Sequence, residues 1–376
     1  MAEKAMFLRN CWYVAAWDHE LISGKLMTRH ILEEPVLLYK GEHGQAIALD
    51  NRCCHRGAKL SNGRVEGDCV RCMYHGLKFD ATGKCVQIPG QDNIPAKLGV
   101  RSYPVVERNH LVWIWMGDPA KADPALIVDI PYLSDPAWRG VADYMHYEAD
   151  YRLIVDNLSD FAHLAFVHTH TLGGSEEYAF KTKPVVVERQ DNGFRVERWS
   201  MNAEAPPFHR RVVDSDARLD RRNLGMMQVP GVFMMETLFS PADGGAQNLS
   251  QSQMSALAED GTRQYRNCQF FTPETRRSTH FFWNYLHNTD IDNPEIAKSL
   301  HASMVQGFME DKFIIEGQQE VLDADPDFKM HAIVSDAPLA HFRRVLQARI
   351  DAEQEALAAA SKVQTISIRP LLNASV

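Results

Sequence analysis

The sequence predicts an α+β protein of two domains, the first all-β over residues 1–118 and the second, over 119–376, an antiparallel sheet with long C-terminal helices. Three observations predict it. The chain of 376 residues exceeds the roughly 100–200 residues of one ordinary domain. Short β-branched runs cut by turn residues fill the first third. Apolar residues at helical spacing fill the last.

From Met27 to Leu49, β-branched runs are interrupted by Gly41–Glu42–His43–Gly44. The pattern recurs at Leu77–Phe79, a Thr82–Gly83 turn, Val86–Ile88 and Leu111–Met116, the mark of small antiparallel strands. Pro119, Pro124, Pro131 and Pro136 break regular structure and read as a connecting segment. A helix is expected from about Arg152 to His168. Strands follow at Val185–Glu188, Phe194–Trp199, Val232–Phe239, Gln264–Phe271 and Thr279–His287. Asn293–Pro294 offers an N-cap and a first-turn proline, after which Ile296, Leu300, Met304, Phe308, Ile315 and Leu322 recur at helical spacing. A second helix is expected from Ser335–Asp336 to about Lys362. Long helices on a sheet give a helix-grip-like second domain.

A formal net charge of −9 excludes an extended basic footprint for nucleic acid. The run Arg210, Arg211, Arg218, Arg221, Arg222 reads as a solvated loop or helix face. No stretch approaches the ~20 apolar residues of a membrane helix. Residues 1–17 carry no basic-then-apolar signal pattern, so a cytoplasmic location and no membrane partner are expected.

Of seven cysteines, five lie between Cys53 and Cys85 with histidines interleaved, which points to metal ligation in a reducing compartment rather than a disulfide framework. Cys53-x-His55, then sixteen residues, then Cys72-x-x-His75 offers one thiolate and one imidazole in each of two loops. That is the ligand set of a Rieske [2Fe–2S] centre, in which two cysteines hold one iron and two histidines the other. A zinc site built on Cys69-x-x-Cys72 with His75, or on Cys53–Cys54–His55, is the competing reading. Zinc patterns favour paired cysteines on turn-plus-helix units, whereas here the ligands sit amid strands. Cys54, Cys69 and Cys85 are then small buried hydrophobes or free thiols.

A second constellation is Asn157-x-x-Asp160-x-x-His163-x4-His168 with a carboxylate far downstream. A lone histidine pair near a helix end reads as ordinary hydrogen-bonded histidines, but two histidines and a carboxylate on one face of a metal are the ligands of non-haem Fe(II) oxygenases. On a helix, at about 100° per residue, His163 and His168 lie about 140° apart. The helix is therefore expected to end or distort between them, with Leu164, Ala165, Phe166 and Val167 packed into the core. The helix after Pro294 carries Asp311 within its apolar stripe, where an unpaired carboxylate is costly. Glu310, about 100° round the wheel, is expected toward solvent. A buried arginine partner for Asp311 is the bland alternative.

The stretches Cys53–Cys54–His55–Arg56–Gly57–Ala58 and Cys72–Met73–Tyr74–His75–Gly76–Leu77 resemble the Rieske domain of the Rieske non-haem iron aromatic-ring oxygenases. The opening Arg9–Asn10–Cys11–Trp12–Tyr13–Val14–Ala15–Ala16 is similar to the vanillate and dicamba O-demethylase branch of that family. So are Tyr103–Pro104–Val105–Val106–Glu107–Arg108, Val112–Trp113–Ile114–Trp115 and Thr272–Pro273–Glu274–Thr275. The resemblance implies a terminal oxygenase with Cys53, His55, Cys72 and His75 on the cluster and His163, His168 and Asp311 on a mononuclear Fe(II). It implies O₂ as co-substrate, and electrons from NAD(P)H through a separate ferredoxin and/or flavin reductase. It also implies a homotrimer in which Asp160 links the His75 of a neighbouring subunit to His163, with Asn157 beside the iron. The expected outcome is hydroxylation of an alkyl C–H next to O or N in a small aromatic, followed by dealkylation. Ring dihydroxylation is an alternative, as is a Rieske electron carrier with a non-catalytic second domain.

In that branch a histidine ahead of the Thr-Pro-Glu-Thr run helps to hold the substrate carboxylate. Gln269 occupies this place here, and Phe233–Met234–Met235–Glu236 is apolar and acidic. Leu158 and Gln269 are expected to line the substrate pocket, and a less anionic, bulkier substrate is expected with them.

Overall fold

The computed structural model describes residues 6–173, 176, 179, 180, 186–213, 217–250, 253, 254 and 262–368. Val185, expected to open a strand, lies outside them. The first half contains β1 (Trp12–Trp17), β2 (Met27–Ile31), β3 (Glu34–Lys40), β4 (Ala46–Asp50), β5 (Arg64–Glu66), β6 (Cys69–Arg71), β7 (Lys78–Phe79), β8 (Cys85–Gln87), β9 (Ser102–Tyr103), β10 (Val105–Arg108) and β11 (Leu111–Trp115). They pair antiparallel into small sheets ordered β1-β11-β10, β2-β3-β4-β9 and β5-β6-β7-β8.

The second half is one seven-stranded antiparallel sheet. Its strands are β12 (Arg139–Tyr147), β13 (Val186–Gln190), β14 (Gly193–Ala203), β15 (Leu219–Gln228), β16 (Val232–Pro241), β17 (Arg263–Thr275) and β18 (Ser278–His287), ordered β12-β18-β17-β16-β15-β14-β13. Its helices are α1 (Tyr151–Ser159), α2 (Leu164–Val167), α3 (Pro207–Val213), α4 (Pro294–Ala324) and α5 (Ala337–Ile368). Asn293 caps α4 by accepting from the Glu295 amide at 3.1 Å, with Pro294 in the first turn. Among the described residues no helix is long and apolar enough to cross a membrane.

Two-residue periodicity explains how the sheet is used. Phe281, Trp283 and Tyr285 of β18 share a core with Leu300, Met304, Phe308 and Ile315 of α4. The Phe308 ring sits 4.9 Å from Trp283 and 5.2 Å from Phe281; truncating such a buried ring costs about 3–5 kcal/mol. Residues of opposite parity on β17 and β18, namely Cys268, Phe270, Phe282 and Leu286, pack instead on Trp12, Trp17, Trp113 and Trp115. Both faces are covered, so every residue of β18 is buried.

The Thr272–Pro273–Glu274 run is part of the seam between the halves. Thr272 Oγ1 donates to the Val14 carbonyl at 2.6 Å. The Leu32 and Glu33 amides donate to the Pro273 and Glu274 carbonyls at 2.9 and 2.8 Å. Leu32 and Glu33 adopt positive φ in the tight β2–β3 turn, which turns their amides outward to meet β17.

The structure corrects three local expectations. Strands β12 and β15 were not foreseen. In β15, Arg221 and Arg222 are buried rather than solvated: Arg222 Nε donates to Glu197 at 2.9 Å, on the neighbouring strand, and Arg221 sits over the Phe239 ring. The helix expected over Arg152–His168 is interrupted at Asp160, whose extended backbone ends α1, and α2 then ends at Val167, between the two histidines as expected. Of the four residues between the histidines, Leu164 and Ala165 are buried, but Phe166 is 55% exposed and Val167 half-buried, because α2 is a single surface turn.

Candidate metal centres

The two cysteine loops are built alike. The Cys53 amide donates to the Ala58 carbonyl and the Cys72 amide to the Leu77 carbonyl, both at 2.8 Å. Each cysteine carbonyl accepts from the glycine four residues on, Gly57 at 2.9 Å and Gly76 at 3.0 Å. Both glycines have positive φ, and a Cβ on Gly76 would also lie 2.7 Å from the Pro89 ring. The result is two matched turns that bury Cys53 and Cys72 and leave His55 and His75 exposed, their ring centroids 4.5 Å apart. Burial, opposed by the His55 amide and reinforced by neighbouring Cys72, pushes the Cys53 thiol up to about 11, so without metal it is a thiol.

These four donors fit a cluster of two irons better than one ion. A single tetrahedral metal with bonds of about 2.0–2.3 Å draws all its donors together. Among the described residues, the one group of three or more His, Cys, Asp or Glu whose donors all lie within 4.8 Å of one another is His163, His168 and Asp311. Cys85 is buried in the same small core as Cys53 and Cys72, Cys69 is half-buried and Cys54 exposed.

At the second centre the break at Asp160 positions both histidines. The Asp160 carboxylate caps the following turn through the Ala162 amide at 2.8 Å, and its carbonyl accepts from His163 Nδ1. That leaves His163 Nε2 facing Asp311 Oδ1 at 3.5 Å. His168, fully buried after α2, places Nε2 3.0 Å from the same oxygen. Facial donors bonded to iron at about 2.1 Å sit about 3 Å apart, so this arrangement fits a 2-His-1-carboxylate site. Asn157 Nδ2 donates to Asp311 Oδ1 at 3.0 Å. Burial holds His163 below the ordinary histidine range despite Asp311. For His168, burial acts downward but is outweighed by Asp311 and Glu310, and its pKa is raised.

Glu310 does not face solvent as the helical wheel suggested. It is half-buried; its Oε2 accepts from His168 Nδ1 at 2.7 Å and from the Thr171 hydroxyl at 2.6 Å. The wheel gives a direction but not what packs there, and the chain after α2 returns over that face. Asp160 also differs from expectation: its main-chain carbonyl, not its carboxylate, meets His163. The carboxylate lies 3.4 Å from Ser335 Oγ and 3.8 Å from Arg198 Nη2, and is 22% exposed.

A cavity opens beside the triad, lined by Leu158, Phe161, His163, Leu164, Leu172, Phe208, Arg221, Phe233, Met235, Thr237, Asn267, Gln269, Tyr285, Met304, Phe308 and Asp311. Leu158 and Gln269 are thus brought to it as expected. Arg221 is the residue that sequence reasoning missed there, having been read as part of a solvated run. Its signal was register: β15 pairs Arg221 with Phe239, on the face that also carries Thr237 and Met235.

Residues 11–104 match the Rieske [2Fe-2S] domain family, and residues 147–352 match the vanillate O-demethylase oxygenase C-terminal domain family. The toluene-4-sulfonate monooxygenase system iron-sulfur subunit of Comamonas testosteroni is 44% identical, over 93% of this chain and 98% of its own. The dicamba O-demethylase oxygenase component of Stenotrophomonas maltophilia is 36% identical over 82% and 87%. A crystal structure of dicamba monooxygenase bound to 3,6-dichlorosalicylic acid superposes with a TM-score of 0.84 at 31% identity, covering 93% of this chain and 99% of that one. Matched turns for a [2Fe–2S] cluster, a facial iron triad and relatives along the whole chain agree: this protein belongs to the Rieske non-haem iron oxygenases of the vanillate and dicamba O-demethylase type, as the oxygenase component.

Proposed function

We propose that the chain hydroxylates an alkyl C–H bond next to oxygen or nitrogen on a small aromatic compound, which then loses that alkyl group as an aldehyde. The observation that carries the reading is the convergence of His163, His168 and Asp311 at the wall of a cavity otherwise rich in aromatic and methionine side chains. Cys53, His55, Cys72 and His75 are assigned to the cluster and the triad to the mononuclear iron. When bound, the iron supplies O₂ activation and the cluster supplies electrons.

The chain's own residues do the rest. Phe161, Phe233 and Phe308 exclude water from the reacting C–H bond, and Leu158 and Gln269 shape the space where the ring lies. One oxygen atom enters the C–H bond and the other leaves as water, with two electrons from NAD(P)H and two protons. The resulting hemiacetal or hemiaminal breaks its C–O or C–N bond. Exposed His75, flanked by exposed Met73 and Tyr74, is the point of exit for electrons, and the partly exposed Asp160 carboxylate is the point of entry on a neighbouring subunit of a trimer. A ferredoxin and/or flavin reductase supplies the cluster.

The test is turnover of methoxy- and N-methyl-substituted aromatics with a surrogate reductase and NADH. Formaldehyde stoichiometric with demethylated product is expected. A cis-dihydrodiol as main product overturns dealkylation.

A further inference from the structure

We infer that Tyr285, Tyr265 and His209 form a protective redox relay, in which a phenol at the wall of the iron cavity passes oxidising equivalents outward to a second phenol beside a surface pocket. The inference rests on the reading of His163, His168 and Asp311 as the iron site.

Among the described residues that line the cavity, Tyr285 carries the one phenol or indole; the other benzene rings belong to Phe161, Phe208, Phe233 and Phe308. Phenylalanine gives up an electron far less readily than tyrosine. When bound, the iron supplies the O₂ chemistry, and an oxidant left there without a substrate C–H bond meets Tyr285 as the readiest electron donor among these rings. The competing targets are the thioethers of Met235 and Met304 in the same wall. Oxygen transfer to either puts a polar sulfoxide into an apolar pocket.

Sheet register brings the second phenol to the first. Tyr265 of β17 stands opposite His287 of β18, two residues after Tyr285, so the tyrosines are diagonal neighbours on one face. Their rings stack with centroids 5.5 Å apart and planes 26° apart. Phe208 lies edge-on to Tyr265 at 5.8 Å and to Tyr285 at 6.1 Å, and all three are buried. Tyr265 lines a separate pocket of about 240 Å³ with Arg263, His287, Thr289 and Asp290, and Asp290 is exposed to solvent. One stacked pair thus spans from the iron cavity to the surface pocket.

His209 equips the second phenol for oxidation. The Tyr265 hydroxyl donates to His209 Nδ1 at 3.1 Å, and the imidazole stacks on the Phe239 ring at 4.1 Å. Burial, then the Arg221 and Arg263 cations, hold the His209 pKa down at about 3, so the ring is neutral and Nδ1 offers a lone pair. A phenol that has lost an electron is a far stronger acid than imidazolium and passes its proton along this bond. The electron from Tyr265 moves through Tyr285 to the oxidant at the iron, the phenolic proton moves to His209, and a neutral phenoxyl radical stays on Tyr265. A small one-electron reductant at the surface pocket, ascorbate or a thiol, restores the phenol as His209 returns the proton. Two such electrons with two solvent protons reduce the remaining oxygen atom to water, and the methionines are spared.

The test is rapid freezing of the purified holoprotein after mixing with hydrogen peroxide, which is O₂ already carrying the electrons of NAD(P)H, in the absence of substrate. Electron paramagnetic resonance reads the radical, and peptide mass spectrometry of the same samples reads methionine sulfoxide. Wild type is expected to give a phenoxyl signal that narrows when its tyrosine is ring-deuterated, and protein stripped of the mononuclear iron is expected to give none. Tyr285→Phe and Tyr265→Phe keep ring and shape, and an unchanged [2Fe–2S] spectrum shows that each has folded. Both are expected to lose the signal and to gain sulfoxide at Met235 and Met304, and His209→Gln is expected to lose most of the signal. Wild type without a radical, a radical of equal yield in either phenylalanine variant, or sulfoxide no higher in those variants than in wild type overturns the relay. Formaldehyde from a methoxy aromatic without any radical leaves the oxygenase reading standing and removes the relay. A radical that depends on Tyr265, in a protein that forms no product, does the reverse.

Discussion

Glu310 accepts a hydrogen bond from Nδ1 of His168 at 2.7 Å, while the other nitrogen of that ring faces Asp311 Oδ1 at 3.0 Å. Adjacent residues on α4 thus address opposite edges of one buried imidazole. The bond to Glu310 fixes the tautomer and aims the Nε2 lone pair at the metal position.

Replacing Glu310 should therefore weaken the mononuclear site without touching the cluster. Glu310→Ala is expected to lower iron affinity at that site about 10- to 100-fold, with Glu310→Gln closer to wild type because its amide oxygen still accepts. Competition with a chelator, read beside an unchanged [2Fe–2S] spectrum, checks this. An affinity equal to wild type would leave Glu310 without the orienting role.

Asp160→Asn separates the cap from the charge. The amide oxygen still accepts from Ala162, so the break after α1 and both metal contents should persist. The rate at which a reduced cluster delivers its electron to the substrate site is expected to fall about 10- to 100-fold. Single-turnover kinetics of pre-reduced enzyme measure it; an unchanged rate would take Asp160 out of the electron path.

His280 makes the seam between the halves sensitive to acid. Its Nε2 donates to the His30 carbonyl at 2.9 Å and its Nδ1 accepts from the Tyr144 hydroxyl at 2.8 Å, bonds that suit the neutral ring. Burial, then the nearby Arg29 cation, holds its pKa down at about 4 against the pull of the His30 carbonyl and Glu274. An unfolded histidine titrates near 6.5. Between pH 6.5 and about 4 the unfolded chain therefore holds the extra proton, and stability falls as pH falls, by on the order of 3 kcal/mol over the full window. His209, held at about 3, contributes in the same direction. His280→Gln should flatten the slope of unfolding free energy against pH relative to wild type; equal slopes would contradict the assignment.

The two cysteine loops were legible because each encodes its own geometry within five residues, from cysteine to glycine. Asp311 was legible because a carboxylate inside the stripe of Met304, Phe308 and Ile315 violates helical patterning. Glu310 and Arg221 were not. Glu310 acquires its partner from a segment more than 130 residues away, and Arg221 from the pairing of β15 with β16, and neither distance is visible in local spacing. Strand β15 was hidden by charge, since Arg221 and Arg222 look solvated until Glu197 and the cavity are placed beside them. The end of the helix between His163 and His168 was legible from ideal-helix angles, but the earlier interruption was not, because those angles do not show that the capping carboxylate of Asp160 ends α1 upstream.

The most direct measurement is iron and acid-labile sulfide per chain in wild type and in His163→Ala, with visible spectra and product formation. Three irons and two sulfides per chain are expected in wild type. Loss of one iron and of all product is expected in the variant, with the Rieske spectrum intact. A wild type without labile sulfide, or a His163→Ala variant that keeps its third iron and still forms product, would contradict the assignment of the two centres.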